Sequence, residues 1–158
     1  MTKMKKQLFY DLKDYSVLMP PSVLIRSINA PSAAAIGEAL LDSYRDEIDY
    51  EGETLQQAIE EIQAVRGGCY GPIIQELSGC VLISEQVAAA LFVTASPSGC
   101  FIPYIFTRKT YRRQGLAKSL LSHCLIQAAA SGYPQISLYV TVGHDSAHKL
   151  YYSLGFHD

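Results

Sequence analysis

The stretch Ile105-Phe106-Thr107-Arg108-Lys109-Thr110-Tyr111-Arg112-Arg113-Gln114-Gly115-Leu116-Ala117-Lys118 decides the reading of this chain. Its first residues close a run of strand formers, Cys100 to Thr107. Its last residues open a helix whose apolar face is Leu116, Leu120, Leu121, Cys124, Leu125 and Ala128. A strand, a small-residue turn and a helix start together make an anion site. The first N–H groups of a helix have no internal acceptors, and the helix dipole adds about half a positive charge there. Gly115 lets the backbone approach a phosphate closely, and Ala117 is nearly as small. Arg108, Lys109, Arg112, Arg113 and Lys118 crowd this segment, although the formal net charge of the chain is −2. On composition alone the segment equally suits a solvated, basic helix start.

Upstream of that stretch lie two further strand-like runs, Gln75 to Ser84 and Gln86 to Thr94. Ser84-Glu85 and Ser96-Pro97-Ser98-Gly99 punctuate them and predict antiparallel hairpins. Before these, Ala35, Ile36, Ala39, Leu40 and Tyr44 recur at helical spacing behind a candidate N-cap, Ser32. A second helix carries Leu55, Ala58, Ile59, Ile62 and Val65, opens on the capping-box pattern Thr54-Leu55-Gln56-Gln57 and stops at Gly67-Gly68. Val23 to Ile28 reads as a short strand, and residues 1–22 as a leader ending in Met19-Pro20-Pro21-Ser22. Downstream, Gly132 and Pro134 end the central helix and Gln135 to Val142 is a strand. His144-Asp145-Ser146 opens a last helix that Gly155 closes. The predicted order is β-α-α-β-β-β-α-β-α, an α/β chain with one domain over residues 23–158.

The 158 residues are 49% hydrophobic and 18% charged, with a mean hydropathy of +0.09. That composition belongs to one globular domain and excludes a disordered chain. Apolar runs reach about seven residues, against about 20 for a membrane span. The charge and a pI near 6.1 argue against a general nucleic-acid binder. Asp11 and Asp14 interrupt the basic start before any apolar signal segment forms. Cys69, Cys80, Cys100 and Cys124 are scattered, with neither zinc spacing nor a disulfide framework. A cytoplasmic protein with buried thiols is expected. His144 and His148 stand at i and i+4 but have no third ligand, so no metal is expected.

Arg112 to Ala117 matches the Arg/Gln-x-x-Gly-x-Gly/Ala signature of the GNAT superfamily of N-acetyltransferases. The later run Ala147-His148-Lys149-Leu150-Tyr151-Tyr152-Ser153-Leu154-Gly155-Phe156 matches that superfamily's Asn-x-x-Ala-x-x-Leu-Tyr-x-x-x-Gly-Phe signature at every position but the first, where His144 stands. The chain resembles a small bacterial-type member over residues 100–156, and the order of elements agrees from residue 23 onward. The resemblance implies a mixed, mostly antiparallel sheet flanked by helices, with the fourth and fifth strands splayed around acetyl-CoA. It implies that backbone groups of Ile105, Phe106 and Thr107 pair with the pantetheine arm. The loop Arg112, Arg113, Gln114, Gly115, Leu116, Ala117 and Lys118 would wrap the pyrophosphate, and His144 would replace an asparagine that contacts the cofactor. Tyr151 would protonate the departing thiolate. No general base carries over, because Tyr139 occupies one expected position and Cys100 to Thr107 contains no acid.

The connection between the first two helices is acidic, and in the resembled family it borders the acceptor pocket. Asp49 and Glu51 are therefore the candidate substrate residues. Members of that family usually continue past the Gly-Phe pair with two strands that cover the fifth, whereas here His157 and Asp158 follow. An open edge at Gln135 to Val142 is expected to be covered, either by Gln7 to Leu12 folding back or by a second copy, and a homodimer is favoured. The expected activity is acetyl-CoA-dependent N-acetylation of a primary amine on a small molecule or peptide. The alternatives are a CoA-binding sensor without turnover and, more remotely, a nucleotide-phosphate binder.

Overall fold

The computed structural model describes residues 3–16 and 19–158. Met1, Thr2, Val17 and Leu18, all in the predicted leader, lie outside the described residues. Five strands, β1 (Lys5–Asp11), β2 (Gly79–Ile83), β3 (Gln86–Ser96), β4 (Gly99–Thr107) and β5 (Gln135–Thr141), form one sheet in the order β1-β5-β4-β3-β2. Only β4 and β5 run parallel; the other neighbours are antiparallel. Helices α1 (Ala33–Tyr44) and α2 (Leu55–Arg66) cover one face of the sheet, against Ala90, Phe92 and Phe106. Helices α3 (Leu116–Ala130) and α4 (Asp145–Leu154) cover the other, against Leu91, Ile102, Ile136 and Leu138. This is the expected mixed α/β fold, with strand neighbours alternating between the two cores as the period of two requires.

The local signals act as read. The Ser32 hydroxyl accepts from the Ala35 N–H at 3.1 Å, and Thr54 and Gln57 form the reciprocal capping box at 3.2 and 2.8 Å. Ser84 and Glu85 both adopt positive φ, +52° and +64°, the twist that a two-residue hairpin needs.

Two expectations change, and of two alternatives for the β5 edge one is realised. Val23 to Ile28 is not a strand; it contributes one bridge, Arg26 to Cys80, before the backbone turns at Ser27–Ala30. The run beginning at Gln75 enters the sheet only at Gly79. Residues before it curl back, and the Ser78 hydroxyl binds the Ile74 carbonyl and the Val93 N–H, both at 2.9 Å, in place of a ladder bond. The edge of β5 is not bare. The leader supplies β1, which pairs antiparallel along β5 from Lys5↔Thr141 to Asp11↔Gln135 and buries Leu8 and Tyr10. The edge that motivated a homodimer is thus covered within the chain. On the outer side of β1, Phe9 exchanges two 2.8 Å backbone bonds with His157, and Lys6 pairs with Asp158 at 2.6 Å.

Candidate functional site

The site begins where β4 and β5 part. Only Cys100↔Ile136, Phe101↔Ser137 and Ile102↔Leu138 pair. Beyond them Pro103–Thr107 and Tyr139–Thr141 run on without pairing to each other. Pro103 has no N–H to donate, and it sits at a bulge. The β3 ladder passes from Phe92↔Tyr104 to Thr94↔Phe101, so Ile102 and Pro103 together oppose Val93. At the opposite end a Cβ on Gly99 would lie 2.3 Å from the Gln135 carbonyl oxygen, so glycine there lets the strands close. The result is a fork, shut at Gly99 and open toward the starts of α3 and α4.

At the open end β4 turns into α3 through Arg113 (φ +64°) and Gly115 (φ +74°), the N-cap. The N–H groups of Arg113, Gln114, Gly115, Leu116, Ala117 and Lys118 donate to no described residue; Ser119 is the first to bond back, to Gly115 at 2.9 Å. A Cβ on Gly115 would meet nothing within 4 Å, so these donors line an open concavity. Successive free N–H groups at a helix start are an anion cradle. Three of the five cations serve elsewhere. Arg108 donates to the Val87 carbonyl at 2.7 Å, Lys109 to the Arg45 carbonyl, and Arg112 to Glu47 at 2.7 Å and to the Ser43 carbonyl. The Arg112 hydrogen bond is also the main cause that holds the Glu47 carboxyl below its ordinary range. Arg113 and Lys118 are exposed and bind no described side chain, which leaves their charges to the cradle.

A roof crosses the mouth of the fork. Glu47, after α1, is tied to Arg112 on the β4–α3 side. Two residues later Asp49 accepts the hydroxyl of Thr141, the last residue of β5. Between them Ile48 overlies Gly143. On the other side of the sheet, α4 places Tyr151 in the core at 8% exposure, its ring centroid 5.8 Å from that of Phe156. Its hydroxyl bonds no described residue. Burial, and then the charge of Asp49, push this phenol up to about 12. A group so protected keeps its proton at neutral pH.

The profile of the acetyltransferase (GNAT) family matches residues 34–156. The chain belongs to that family, a family of acyltransferases. Solved structures share the fold at low identity. A GCN5-related N-acetyltransferase from Sphaerobacter thermophilus is 18% identical, with a TM-score of 0.72, over 97% of this chain and 47% of its own. The ribosomal-protein-S18-alanine N-acetyltransferase of Escherichia coli is 18% identical, with a TM-score of 0.68, over 85% of this chain and 77% of its own. A PaiA N-acetyltransferase from Thermoplasma acidophilum, solved in complex with coenzyme A, is 16% identical, with a TM-score of 0.69, over 86% of this chain and 90% of its own. The chain thus spans about half the length of the first of these. No curated protein matches the sequence.

Within this GNAT domain the expected residues fall into three groups. The backbone groups of Ile105 and Thr107 line the unpaired side of β4, whereas Phe106, opposite Ala90 and two residues before the Arg108 N–H that donates to Ala88, turns its own toward β3; Arg113 to Lys118 form the cradle at the end of the strand. Asp49 joins the site through Thr141 and Tyr151, whereas Glu51 is exposed and only its N–H is engaged, by Glu53 at 3.1 Å. His144 is the N-cap residue of α4 without a side-chain cap bond, its Nδ1 3.4 Å from the Ser146 hydroxyl, and His148 lies 3.3 Å from the Thr141 carbonyl. Among the described residues no three His, Cys, Asp or Glu side chains gather for a metal, and no helix is long and apolar enough to cross a membrane. Pro103, Glu47 and Thr141 join the site without having been expected there. Pro103 carries a signal in the sequence, a proline amid strand formers; Glu47 and Thr141 matter only through partners 65 and 92 residues away.

Proposed function

We propose that this chain transfers an acetyl group from acetyl-CoA to a primary amine of a small molecule or peptide. The fork between β4 and β5, with a cradle of free N–H groups at its open end, carries this reading. When bound, acetyl-CoA supplies an acetyl group activated as a thioester. The N–H groups of Arg113 to Lys118, with the charges of Arg113 and Lys118, hold its pyrophosphate. Ile105 and Thr107, with Phe106 between them bonded back to β3, offer the backbone of an unfilled strand position to the pantetheine amides, and the free N–H groups polarise the thioester carbonyl. His144, at the start of α4, faces the cofactor from the β5 side. Arg112 acts indirectly, by fixing the roof. Asp49 and Glu51 draw an ammonium toward the fork. The amine attacks in its neutral form, having given one proton to water. The C–N bond forms as the C–S bond breaks, Tyr151 gives its proton to the leaving sulfur, the product nitrogen releases a proton to solvent, and Tyr151 regains one from solvent before the next turnover. The cytoplasm is the proposed compartment, in keeping with four free cysteines.

The test is acceptor-dependent release of the CoA thiol from acetyl-CoA across amino acids, polyamines, aminoglycosides and peptides. Thiol release that requires an amine is the expected result. Acetyl-CoA binding without turnover on any amine assigns the chain as a CoA sensor instead. Displacement of CoA by ATP identifies a general nucleotide site.

A further inference from the structure

At the closed end of the fork, on the α1/α2 face, four aromatic rings meet. Phe101 is in the last stretch of paired β4, Tyr104 lies just past Pro103, and Tyr139 is the first β5 residue beyond the pairing. Tyr70, after α2, touches both β4 rings, with centroids 6.2 Å from Phe101 and from Tyr104; Phe101 is 5.9 Å from Tyr139. Tyr70 and Tyr139 remain 42% and 53% exposed, so this group is an open wall and not buried core. Glu61, on α2, accepts the Tyr104 hydroxyl at 2.6 Å. A neutral amide would pin α2 to β4 equally well, so the hydrogen bond does not account for the charge.

Glu61 faces no basic side chain among the described residues, as is true of most of the acids. What sets it apart is the aromatic wall that its carboxylate adjoins. The Tyr104 phenol is pushed up, first by burial and then by Glu61, so the tyrosine stays neutral and donates its hydroxyl to the carboxylate. An unpaired carboxylate beside electron-rich ring faces is the surrounding that an ammonium group selects, through charge-assisted hydrogen bonds and cation–π attraction. The position matters as well. Tyr151 and the core beneath α3 and α4 fill the opposite face, so an acceptor reaches the fork from this side, and the rest of its chain lies along these rings.

Resting on the acetyl-transfer reading above, we propose that the acceptor is a diamine or polyamine. One amine reacts at the fork, while a second, charged ammonium is held by Glu61 against the rings of Tyr104 and Tyr70. The test compares n-butylamine with 1,4-diaminobutane, which differ in the second ammonium, by kcat/KM for thiol release. The diamine should be preferred by roughly 10- to 100-fold, the size expected of a charged hydrogen bond with a cation–π contact. Glu61→Gln, which keeps an acceptor for the Tyr104 hydroxyl, should bring that ratio below about 3 by removing the charge-assisted part of the bond. Glu60→Gln, whose side chain instead meets Gln56, should preserve the ratio. Equal kcat/KM for the two amines, or a preference that survives Glu61→Gln, overturns this proposal while leaving acetyl transfer standing. Acetyl-CoA binding with no thiol release on any amine overturns both.

Discussion

Strand β4 has two neighbours and treats them differently. Against β3 it pairs from Ser96↔Gly99 to Ala89↔Thr107, interrupted once by the bulge at Ile102 and Pro103. Against β5 it pairs at three positions and stops. The first side is a ladder and holds the sheet together; the second is a ladder left unfinished, and the free backbone of its open part is where the site lies. The difference comes from two residues that cannot behave as ordinary strand residues, a proline with no donor and a glycine with no Cβ.

The largest expected effect breaks the chemistry and leaves the ladder alone. Tyr151→Phe keeps the ring against Phe156 and removes the proton donor, so kcat should fall on the order of 10- to 1000-fold with CoA binding little changed. An unchanged kcat, where chemistry limits the rate, removes Tyr151 from the mechanism. Next comes the closed end. Gly99→Ala drives a Cβ toward the Gln135 oxygen at a φ of +140°, and should cost about 2–3 kcal/mol of stability by urea unfolding. A loss under about 0.5 kcal/mol, the range of an uninvolved surface change, would show that glycine does not shut the fork. At the open end, Gly115→Glu puts a side chain and a negative charge into the cradle. CoA affinity should weaken by about 30-fold, as expected for opposing an anion at a helix start; equal thermal stabilisation of both proteins by CoA would falsify the cradle assignment.

The smallest effect is alkaline. Tyr151 and Tyr44 are each pushed up to about 12, mainly by burial, whereas an unfolded tyrosine titrates near 10. Between these values the unfolded chain has lost protons that the folded chain keeps, so stability must fall as pH rises from about 10 toward 12. Urea midpoints measured from pH 8 to 11.5 should be flat below pH 10 on account of these groups and decline above it. Tyr151→Phe should make the decline shallower, and an identical decline in the variant would show that the buried phenol does not contribute.

Much of this fold and site is legible in the amino-acid sequence. The two signatures place the helix starts, the buried tyrosine and the strand between them, and the caps at Ser32 and Thr54 mark α1 and α2. The misreadings share a cause. Val23 to Ile28 and Gln75 to Ser78 have strand-forming composition, but a strand needs a neighbour in register, and each segment turns away from its neighbour after at most one pair. The same reason left two covers open for the edge of β5: Leu8 and Tyr10 are apolar wherever they lie, and only the register along β5 makes them a strand of this chain.

What the sequence by itself determined is local. A positive φ at Gly115, free N–H groups over the first turn of α3, a capping box at Thr54 and a missing donor at Pro103 each follow from a few adjacent residues and from the backbone's fixed geometry. What the tertiary structure decided is everything that depends on partners far apart along the chain. Arg112 holds the roof through Glu47 and is thereby withdrawn from the cradle it adjoins; Asp49 reaches Thr141; Glu61 meets Tyr104 and no cation. These contacts join segments that no local rule relates, because their energies appear only once the sheet has set its register and brought the two helical layers onto its faces.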